Sequence, residues 1–215
     1  MRAASGRKAS PEKRAIVETA LRDLTRSGLL EHSLKPGARA PDFTLPNSEG
    51  KSVQLRELLA RGPVVLVFYR GHWCPYCNAQ LAALQEALPR LREAGASLVA
   101  ISPEKPDYVK ESVQTMKLEF EVLSDAGNRV ARSFGLAFRV PPKLEELYRG
   151  FGLTLEKFNA DGKWELPVPG TFVLDRQGLV ALASVDPDYT RRLEPEAILA
   201  ALAKLRLPAK VPAGR

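Results

Sequence analysis

The sequence is poor in the side chains that proteins use for disulfide cross-links or metal binding. Its 215 residues include only two cysteines and two histidines. Two cysteines cannot form the disulfide framework that supports many small secreted domains. A structural zinc site generally uses about four Cys or His ligands, which would take every residue of both kinds in this chain. We therefore expect neither a disulfide-stapled domain nor a metal or another cofactor.

The sequence also lacks a long hydrophobic segment. Its longest strongly apolar run, residues 63–69, is far shorter than the ~20 residues that a membrane-spanning helix needs. The N-terminus shows no signal-peptide arrangement. The start, MRAASGRKAS, weakly resembles a transit peptide because it contains Arg and Ser but no acid, yet no amphipathic helix lies within it. These absences predict a cytoplasmic protein that does not bind a membrane.

Charge is unevenly distributed along the chain, whose formal net charge is +7. Residues 1–15 contain five basic residues and one acid, and residues 204–215 contain four basic residues and no acid. The remainder of the chain is therefore close to neutral, which does not favour a nucleic-acid partner. We interpret residues 1–35 as a basic tail and a helix, residues 36–206 as one domain, and residues 207–215 as a second basic tail.

Hydrophobic patterning predicts an α/β domain. Ser10 and Pro11 read as an N-cap followed by proline at the first helical position, and apolar residues recur at helical spacing as far as Gly28. The continuous run PVVLVFY, residues 63–69, is typical of a central strand that is buried on both faces. Strands and helices then alternate along the chain. We expect an edge strand at 43–45, strands at 96–101 and 121–123, a hairpin at 171–185, and helices at 77–93, 106–117, 129–134 and 195–205.

Residues 135–167 do not follow this alternation. Prolines and glycines divide the segment into short pieces, so we interpret it as an insertion beside the candidate site. The aromatic residues of the segment are most typical of a small secondary core, whereas a substrate lid and the interface of a homodimer remain the alternatives. These aromatic residues are Phe138, Tyr148, Phe151, Phe158 and Trp164.

The motif WCPYC lies where the buried strand is followed by a helix. Cys74 falls at the predicted helix N-terminus, with Pro75 at the first helical position. Unpaired backbone N–H groups and the helix dipole favour a thiolate at such a position. Cys77 is three residues further on, so both side chains lie on one helix face, within reach of a disulfide. The spacing predicts a dithiol and disulfide couple, with Cys74 nearer to solvent than Cys77.

Residues beside the motif are weaker candidates. Arg70 and His72 would add positive charge near the sulfurs, although a solvated or capping role is at least as common for such side chains. Trp73 precedes the first cysteine directly and is a supporting candidate. Two alternatives to redox chemistry are half of a zinc site and two cysteines packed as small apolar residues. The position between a strand and a helix favours redox chemistry over both.

Four stretches of the sequence resemble the AhpC/TSA superfamily of peroxiredoxins, in particular a peroxiredoxin-like branch with a thioredoxin-style C-x-x-C. The likeness runs from about residue 36 to residue 205. It implies a thioredoxin-like fold, with a central mixed sheet flanked by helices after an N-terminal helical extension. It also implies an antioxidant oxidoreductase that reduces peroxides at the expense of thiols. The four stretches are GARAPDFTLPNSEGKSVQL, VVLVFYRGHWCPYC, LPVPGTFVLDRQGLV and DPDYTRRLEPEAILAAL.

The resemblance assigns roles to individual residues. Peroxiredoxin sites contain a proline, a threonine four positions later and a cysteine three positions after that, and Arg70, Cys74 and Cys77 occupy those positions here. Cys77 thus matches the peroxidatic cysteine, while Cys74 replaces the threonine. Pro169 stands where the family has its activating arginine, and it resembles the cis-proline of thioredoxins. We therefore expect a cis Val168–Pro169 bond beside the cysteines.

Three functions follow from these assignments. The first is a peroxidase in which Cys77 attacks hydrogen peroxide or an organic hydroperoxide, Cys74 resolves the sulfenic acid to a disulfide, and a thioredoxin-like reductant restores both thiols. The second is a thiol-disulfide oxidoreductase in which Cys74 attacks a substrate disulfide. The third is a non-enzymatic redox sensor. We favour the peroxidase, because Cys74 can act as a resolving thiol where the threonine is missing.

Overall fold

The computed structural model describes residues 10–206, so the basic tails expected at 1–9 and 207–215 lie outside the described residues. Its elements follow the predicted alternation of strands and helices. The strands are β1 Thr44–Pro46, β2 Ser52–Gln54, β3 Val64–Phe68, β4 Ser97–Ser102, β5 Glu121–Ser124, β6 Ala137–Arg139, β7 Glu165–Pro167, β8 Gly170–Leu174 and β9 Val180–Val185. The helices are α1 Pro11–Arg26, α2 Leu29–His32, α3 Leu55–Arg61, α4 Pro75–Glu93, α5 Pro106–Met116, α6 Arg129–Ser133, α7 Pro142–Gly150, α8 Leu155–Phe158 and α9 Pro195–Arg206.

The central sheet has five strands in the order β5-β4-β3-β8-β9. Strand β3 pairs in parallel with β4, and β4 pairs in parallel with β5. On its other side β3 pairs antiparallel with β8, which forms the predicted hairpin with β9. The expected mixed α/β sheet flanked by helices is therefore confirmed.

Strand β3 is buried on both faces, as its continuous apolar run predicts. All five of its residues are fully buried, and their side chains alternate between two cores. Val65 and Val67 pack with the apolar side of α4 and with α9. Phe68 packs on the opposite face, where its ring is 4.9 Å from that of Phe134 and 6.0 Å from that of Phe172. The sheet thus fixes the end of β3, where the cysteine motif begins.

Helix α1 begins at the predicted cap. The Ser10 hydroxyl accepts a hydrogen bond from the Lys13 backbone N–H at 3.3 Å, and Pro11 occupies the first helical position. The apolar side of α1, including Ile16, Val17 and Ala20, packs against a third cluster that is built from the 135–167 segment. This helix is consequently a wall of the region beside the cysteines rather than a detached extension.

The 135–167 segment forms its own small core, as its aromatic residues predict. Tyr148 and Trp164 are buried in a cluster with residues of α7, α8 and β7, and β6 pairs with β7. Two aromatic residues of the segment lie outside this core: Phe151 is 58% exposed, and Phe158 packs instead against His72. The interpretation as a secondary core is confirmed for the buried aromatic residues.

The edge strand expected at 43–45 differs in its pairing. Strand β1 pairs with β2 in a separate two-stranded sheet, and a single bridge between Asn47 and Leu123 connects this region to β5. The Asn47 side-chain oxygen accepts hydrogen bonds from the backbone N–H groups of Glu49 and Lys51, which turn the chain back on itself. The local turn therefore pairs β1 with β2 instead of with the central sheet.

Among residues 10–206, none of the helices combines the length and the apolar character that crossing a membrane requires.

Candidate active site

The two cysteines lie where the sequence predicts. Cys74 is the N-cap residue of α4, Pro75 is the first helical residue, and Cys77 lies in the first turn. The backbone N–H of Cys77 donates to the Cys74 carbonyl at 3.0 Å, which closes this turn. Cys74 is 2% exposed and Cys77 is fully buried, so Cys77 is the deeper of the two.

The loop before the helix requires glycine at position 71. Gly71 has a φ of 145°, and a Cβ atom there would lie 2.4 Å from Trp73 Nε1 and 2.8 Å from Glu104 Oε1. Since real Cβ atoms do not approach other heavy atoms this closely, any side chain at position 71 would displace Trp73 or Glu104. The glycine lets the loop turn from β3 into the cysteine motif.

The two thiols are free and share a hydrogen bond. The hydrogen bond from Cys77 lowers the pKa of Cys74 to about 6, with help from the charges of Arg70 and Arg192 and against the effect of burial. Burial raises the pKa of Cys77 well above that of an ordinary thiol, and its hydrogen bond to Cys74 adds to this effect. The reduced pair therefore holds its negative charge on Cys74 and a proton on Cys77 at neutral pH.

Arg70 is a buried cation surrounded by aromatic rings. One of its terminal nitrogens donates a hydrogen bond of 2.5 Å to the Tyr148 hydroxyl. Its guanidinium carbon lies 4.3 Å from the ring centroid of Tyr189 and 4.9 Å from that of Trp73. The neighbours that act on its charge are phenols and the two thiols rather than carboxylates. The structure therefore brings the predicted residues Arg70 and Trp73 to the cysteine pair.

Arg192 is a site residue that the sequence reasoning missed. Its terminal nitrogen Nη2 lies 3.5 Å from the sulfur of Cys77, although the two residues are 115 positions apart. It follows strand β9 in the stretch DPDYTRRLEP, which resembles the family but contains no local pattern that marks one arginine as a sulfur ligand. Arg192 therefore supplies a positive charge beside Cys77, whereas Pro169, which stands in place of the family's activating arginine, has no charge.

The prediction of a cis bond before Pro169 is wrong. The Val168–Pro169 bond is trans, not cis. The Val168 N–H is already bonded to the Leu136 carbonyl at 2.8 Å, and Gly170 pairs with Phe68, so the chain is held in strand-like pairing on both sides of the proline. Pro169 lines one cavity with Arg70 and a second cavity with Arg192.

His72 anchors the loop and lines neither of these cavities. Its Nδ1 lies 2.6 Å from Oε1 of the buried Glu104, and its backbone N–H donates to Oε2 at 2.9 Å. Its ring stacks on Tyr108 at 5.0 Å. Burial alone lowers the pKa of His72, but the hydrogen bond and charge of Glu104 outweigh this and raise it. His72 therefore positions the cysteine loop, which is the structural one of its two expected roles.

Comparison with known proteins assigns the family. The model of the AhpC/TSA family matches residues 36–183. The chain belongs to this family. Putative peroxiredoxin Q from rice, Oryza sativa subsp. indica, is 30% identical over 187 residues, which cover 87% of this chain and 71% of the rice protein. Peroxiredoxin Q from Gentiana triflora is 32% identical over 160 residues, which cover 74% of this chain and 61% of the relative. The expected resemblance is confirmed.

Solved structures agree with this assignment. Peroxidoxin BcpB from Mycobacterium tuberculosis superposes with a TM-score of 0.65 at 25% identity, covering 81% of this chain and 99% of that protein. A peroxiredoxin-like protein from Aquifex aeolicus superposes with a TM-score of 0.63 at 16% identity, covering 80% of this chain and 88% of that protein. The second likeness shows the fold alone. Together, the family and its members support a thiol-dependent peroxidase and do not favour the oxidoreductase or the sensor.

The expectation of a cytoplasmic protein is wrong by the same comparison. The curated relatives from Gentiana triflora, rice and Arabidopsis thaliana are named as chloroplastic proteins. The prediction depended on the absence of a recognised targeting segment, and targeting segments are too variable in sequence for such an absence to decide the compartment.

Proposed function

We propose that this chain is a thiol-dependent peroxidase that reduces hydrogen peroxide or organic hydroperoxides through a dithiol and disulfide cycle of Cys74 and Cys77. The observation that carries the proposal is the pair of free thiols in hydrogen-bond contact at the start of α4, with the charges of Arg70 and Arg192 acting on it. Peroxide reduction needs a thiolate, a positive charge near the breaking O–O bond and a second thiol, and all three are present.

The first chemical step is attack of Cys77 on the peroxide. A sulfur electron pair forms an S–O bond with one peroxide oxygen, the O–O bond breaks, and the other oxygen leaves as water or an alcohol after taking a proton from solvent. Cys77 is thereby oxidised to a sulfenic acid. Arg192, 3.5 Å from this sulfur, stabilises the Cys77 thiolate that makes this attack.

The proton of Cys77 has an acceptor within contact. Because the reduced pair carries its charge on Cys74, Cys77 must lose its proton as it attacks. The Cys74 thiolate, already hydrogen-bonded to that thiol, is the nearest base. In the second step the Cys74 sulfur attacks the sulfenic sulfur of Cys77, the disulfide forms and water leaves. An external dithiol of thioredoxin type then reduces the disulfide.

One observation favours a second candidate. The thiolate of the resting pair is on Cys74, which is the residue that a thiol-disulfide oxidoreductase would use to attack a substrate disulfide. In that case Cys77 would release the mixed disulfide, and peroxide would react more slowly than a disulfide.

Stopped-flow oxidation of the reduced protein separates the two candidates. We expect faster reaction with hydrogen peroxide and cumene hydroperoxide than with a model disulfide, and the reverse order would favour the oxidoreductase.

A second measurement identifies which of the two cysteines attacks the peroxide first. Cys74→Ser should form a sulfenic acid that a dimedone-type reagent traps after peroxide treatment, and Cys77→Ser should not. An adduct on Cys77→Ser and none on Cys74→Ser would show that Cys74 attacks first.

A further inference from the structure

An apolar cavity of about 260 Å³ lies between helix α1 and the 135–167 segment. Most of its wall is hydrophobic and comes from both of these regions. Three exposed polar residues, Asp23, Ser27 and Arg139, also line it and mark the side that is open to solvent. The apolar lining residues of the two regions include Val17, Ala20, Leu21, Phe138, Leu144 and Leu166.

The cavity reaches a buried cation that lacks a carboxylate partner. Arg70 lines the cavity and is 4% exposed. None of the ion pairs within residues 10–206 includes it. A buried charge is generally paired, because removing it from water is costly. The arrangement therefore leaves room for an anion from outside the chain.

The hydrogen-bonding groups beside this cation are donors. One terminal nitrogen of Arg70 donates to the Tyr148 hydroxyl, whereas its Nε–H is buried without a hydrogen-bond partner. A buried N–H without a partner costs free energy. Tyr148, which also lines the cavity, accepts through a lone pair and still carries one O–H donor. A group that only accepts hydrogen bonds and carries negative charge, such as a carboxylate, matches this region.

The charge and the size of the cavity narrow the class of ligand. A single guanidinium balances one negative charge, whereas a phosphate group carries about −1.5 to −2 at pH 7 and would bring uncompensated charge into the cavity. An apolar cavity of ~150 Å³ in another protein is large enough to bind benzene, so this cavity has room for an aryl group or an alkyl chain. A monocarboxylate with a hydrocarbon body matches both the cation and the apolar wall.

We propose that this cavity is a binding site for an alkyl or aryl monocarboxylate, whose carboxylate pairs with Arg70 and whose hydrocarbon body lies between helix α1 and the 135–167 segment. The ligand is not a substrate of the proposed peroxidase, and the inference does not depend on that function. One wall of the site is a helix at residues 11–26, which lies outside the part of the chain that the family model matches.

Isothermal titration calorimetry of the wild-type protein tests the choice of ligand, with octanoate as the probe. We expect octanoate to bind about tenfold or more tightly than 1-octanol, which has the same chain without the charge, on the scale of one hydrogen bond to a charged group. Acetate, which has the carboxylate without the chain, should also bind more weakly than octanoate, because it buries little apolar surface. Equal affinities for octanoate and 1-octanol, or no binding of octanoate, would overturn the proposal.

Variants of Arg70 test the partner of the carboxylate. Arg70→Met should lower the affinity for octanoate by about tenfold and leave that for 1-octanol unchanged, and Arg70→Lys should keep more of the preference for octanoate. Arg191→Met is the control, because Arg191 is an exposed arginine that does not line this cavity, and it should bind octanoate like the wild-type protein. Octanoate binding that Arg70→Met leaves unchanged would overturn the proposal. If Arg70→Met does not fold, the comparison of octanoate with 1-octanol on the wild-type protein decides alone.

A pair of substitutions on α1 tests the place of the hydrocarbon body. Ala20 lines the cavity, and Ala15 is an exposed residue of the same helix that does not line it. Ala20→Leu adds a side chain that fills part of the cavity, so octanoate and 1-octanol should both bind about tenfold more weakly. Ala15→Leu should bind both like the wild-type protein. Equal losses in the two variants, or no loss in Ala20→Leu, would show that the chain does not lie in this cavity.

The outcomes for the two proposals are distinct. Wild-type protein that binds octanoate as expected but reduces no peroxide would refute the peroxidase function and leave the carboxylate site standing. Wild-type protein that reduces peroxides but does not prefer octanoate to 1-octanol would refute the carboxylate site alone.

Discussion

Two arginines act on the cysteine pair, and the surroundings of the two differ in polarity. Arg70 is buried among Trp73, Tyr148 and Tyr189 and lines the apolar cavity. Arg192 lines a smaller cavity of about 120 Å³ whose wall is polar and apolar in about equal parts, and is thus more polar than that of the first cavity; its polar lining residues include Gln80, Thr171, Ser184, Asp186 and Arg191. The same kind of side chain thus supplies positive charge in two different environments.

Because their surroundings differ, we expect the two arginines to have different roles. A charge in buried, aromatic surroundings acts more strongly over a given distance than one in contact with polar groups and water. The charge of Arg70 lowers the pKa of Cys74 more than the charge of Arg192 does, and Arg192 has the larger of the two effects on the pKa of Cys77. We infer that Arg70 mainly sets the ionisation of Cys74, and that Arg192 mainly acts on the sulfur of Cys77.

Among the variants predicted here, we expect the largest effect from replacing Arg70, which lines the apolar cavity. Replacing Arg70 by Met removes the buried charge, so the pKa of Cys74 should rise from about 6 by one unit or more, on the scale of about 1–3 units that a close opposite charge produces. The pH dependence of thiolate absorbance in the ultraviolet measures this midpoint. In the wild-type protein, the rate of peroxide reduction should rise with pH through about 6 and then level off.

The conservative variant is the matched control. Arg70→Lys keeps the positive charge and should keep the midpoint closer to that of the wild-type protein than Arg70→Met does. Arg192→Met should move the midpoint less than Arg70→Met. An unchanged midpoint in Arg70→Met, or a larger shift in Arg192→Met, would contradict the assignment of the two arginines.

We expect the next largest effect from replacing Arg192, which lines the second cavity. Arg192→Met removes the donor that lies 3.5 Å from the Cys77 sulfur. We expect the rate of sulfenic acid formation to fall by about tenfold. This is about the change in rate that corresponds to the loss of one hydrogen bond to a charged group. The rate is measured by stopped flow at a pH well above the Cys74 midpoint, so that ionisation does not limit it. Arg191→Met is the control, because Arg191 lines the same cavity but pairs with Asp186 and Asp188. Equal slowing in both variants would show that Arg192 has no specific role.

The smallest effect lies away from both cavities, at His72. The pKa of His72 is raised in the folded protein by Glu104, so the pair stabilises the fold fully below the ordinary value of 6.5 and loses this contribution as pH rises through the folded value. The difference in unfolding free energy between wild type and His72→Gln should therefore shrink with rising pH. Urea titrations at several pH values measure it. The Cys74 midpoint should not move in this variant, and a shift would place His72 among the groups that ionise the cysteine.

The local features of the site were predictable because they depend on neighbours in sequence. The Ser10 cap, Pro75 at the start of α4 and the buried run of β3 are all patterns of a few adjacent residues, and all are confirmed. The trans bond before Pro169 was not predictable in the same way, because pairing with strands from elsewhere in the chain holds that segment.

The amino-acid sequence by itself determined the α/β order of elements, the place of Cys74 and Cys77 at a helix start, and the family. Only the tertiary structure decided which charges and surfaces surround the cysteines. Arg192 reaches Cys77 from 115 positions away, and α1 meets the 135–167 segment to form the apolar cavity. The physical reason is that helix caps and strand patterns depend on adjacent residues, whereas a charge or a cavity wall acts through space and has no characteristic spacing along the chain.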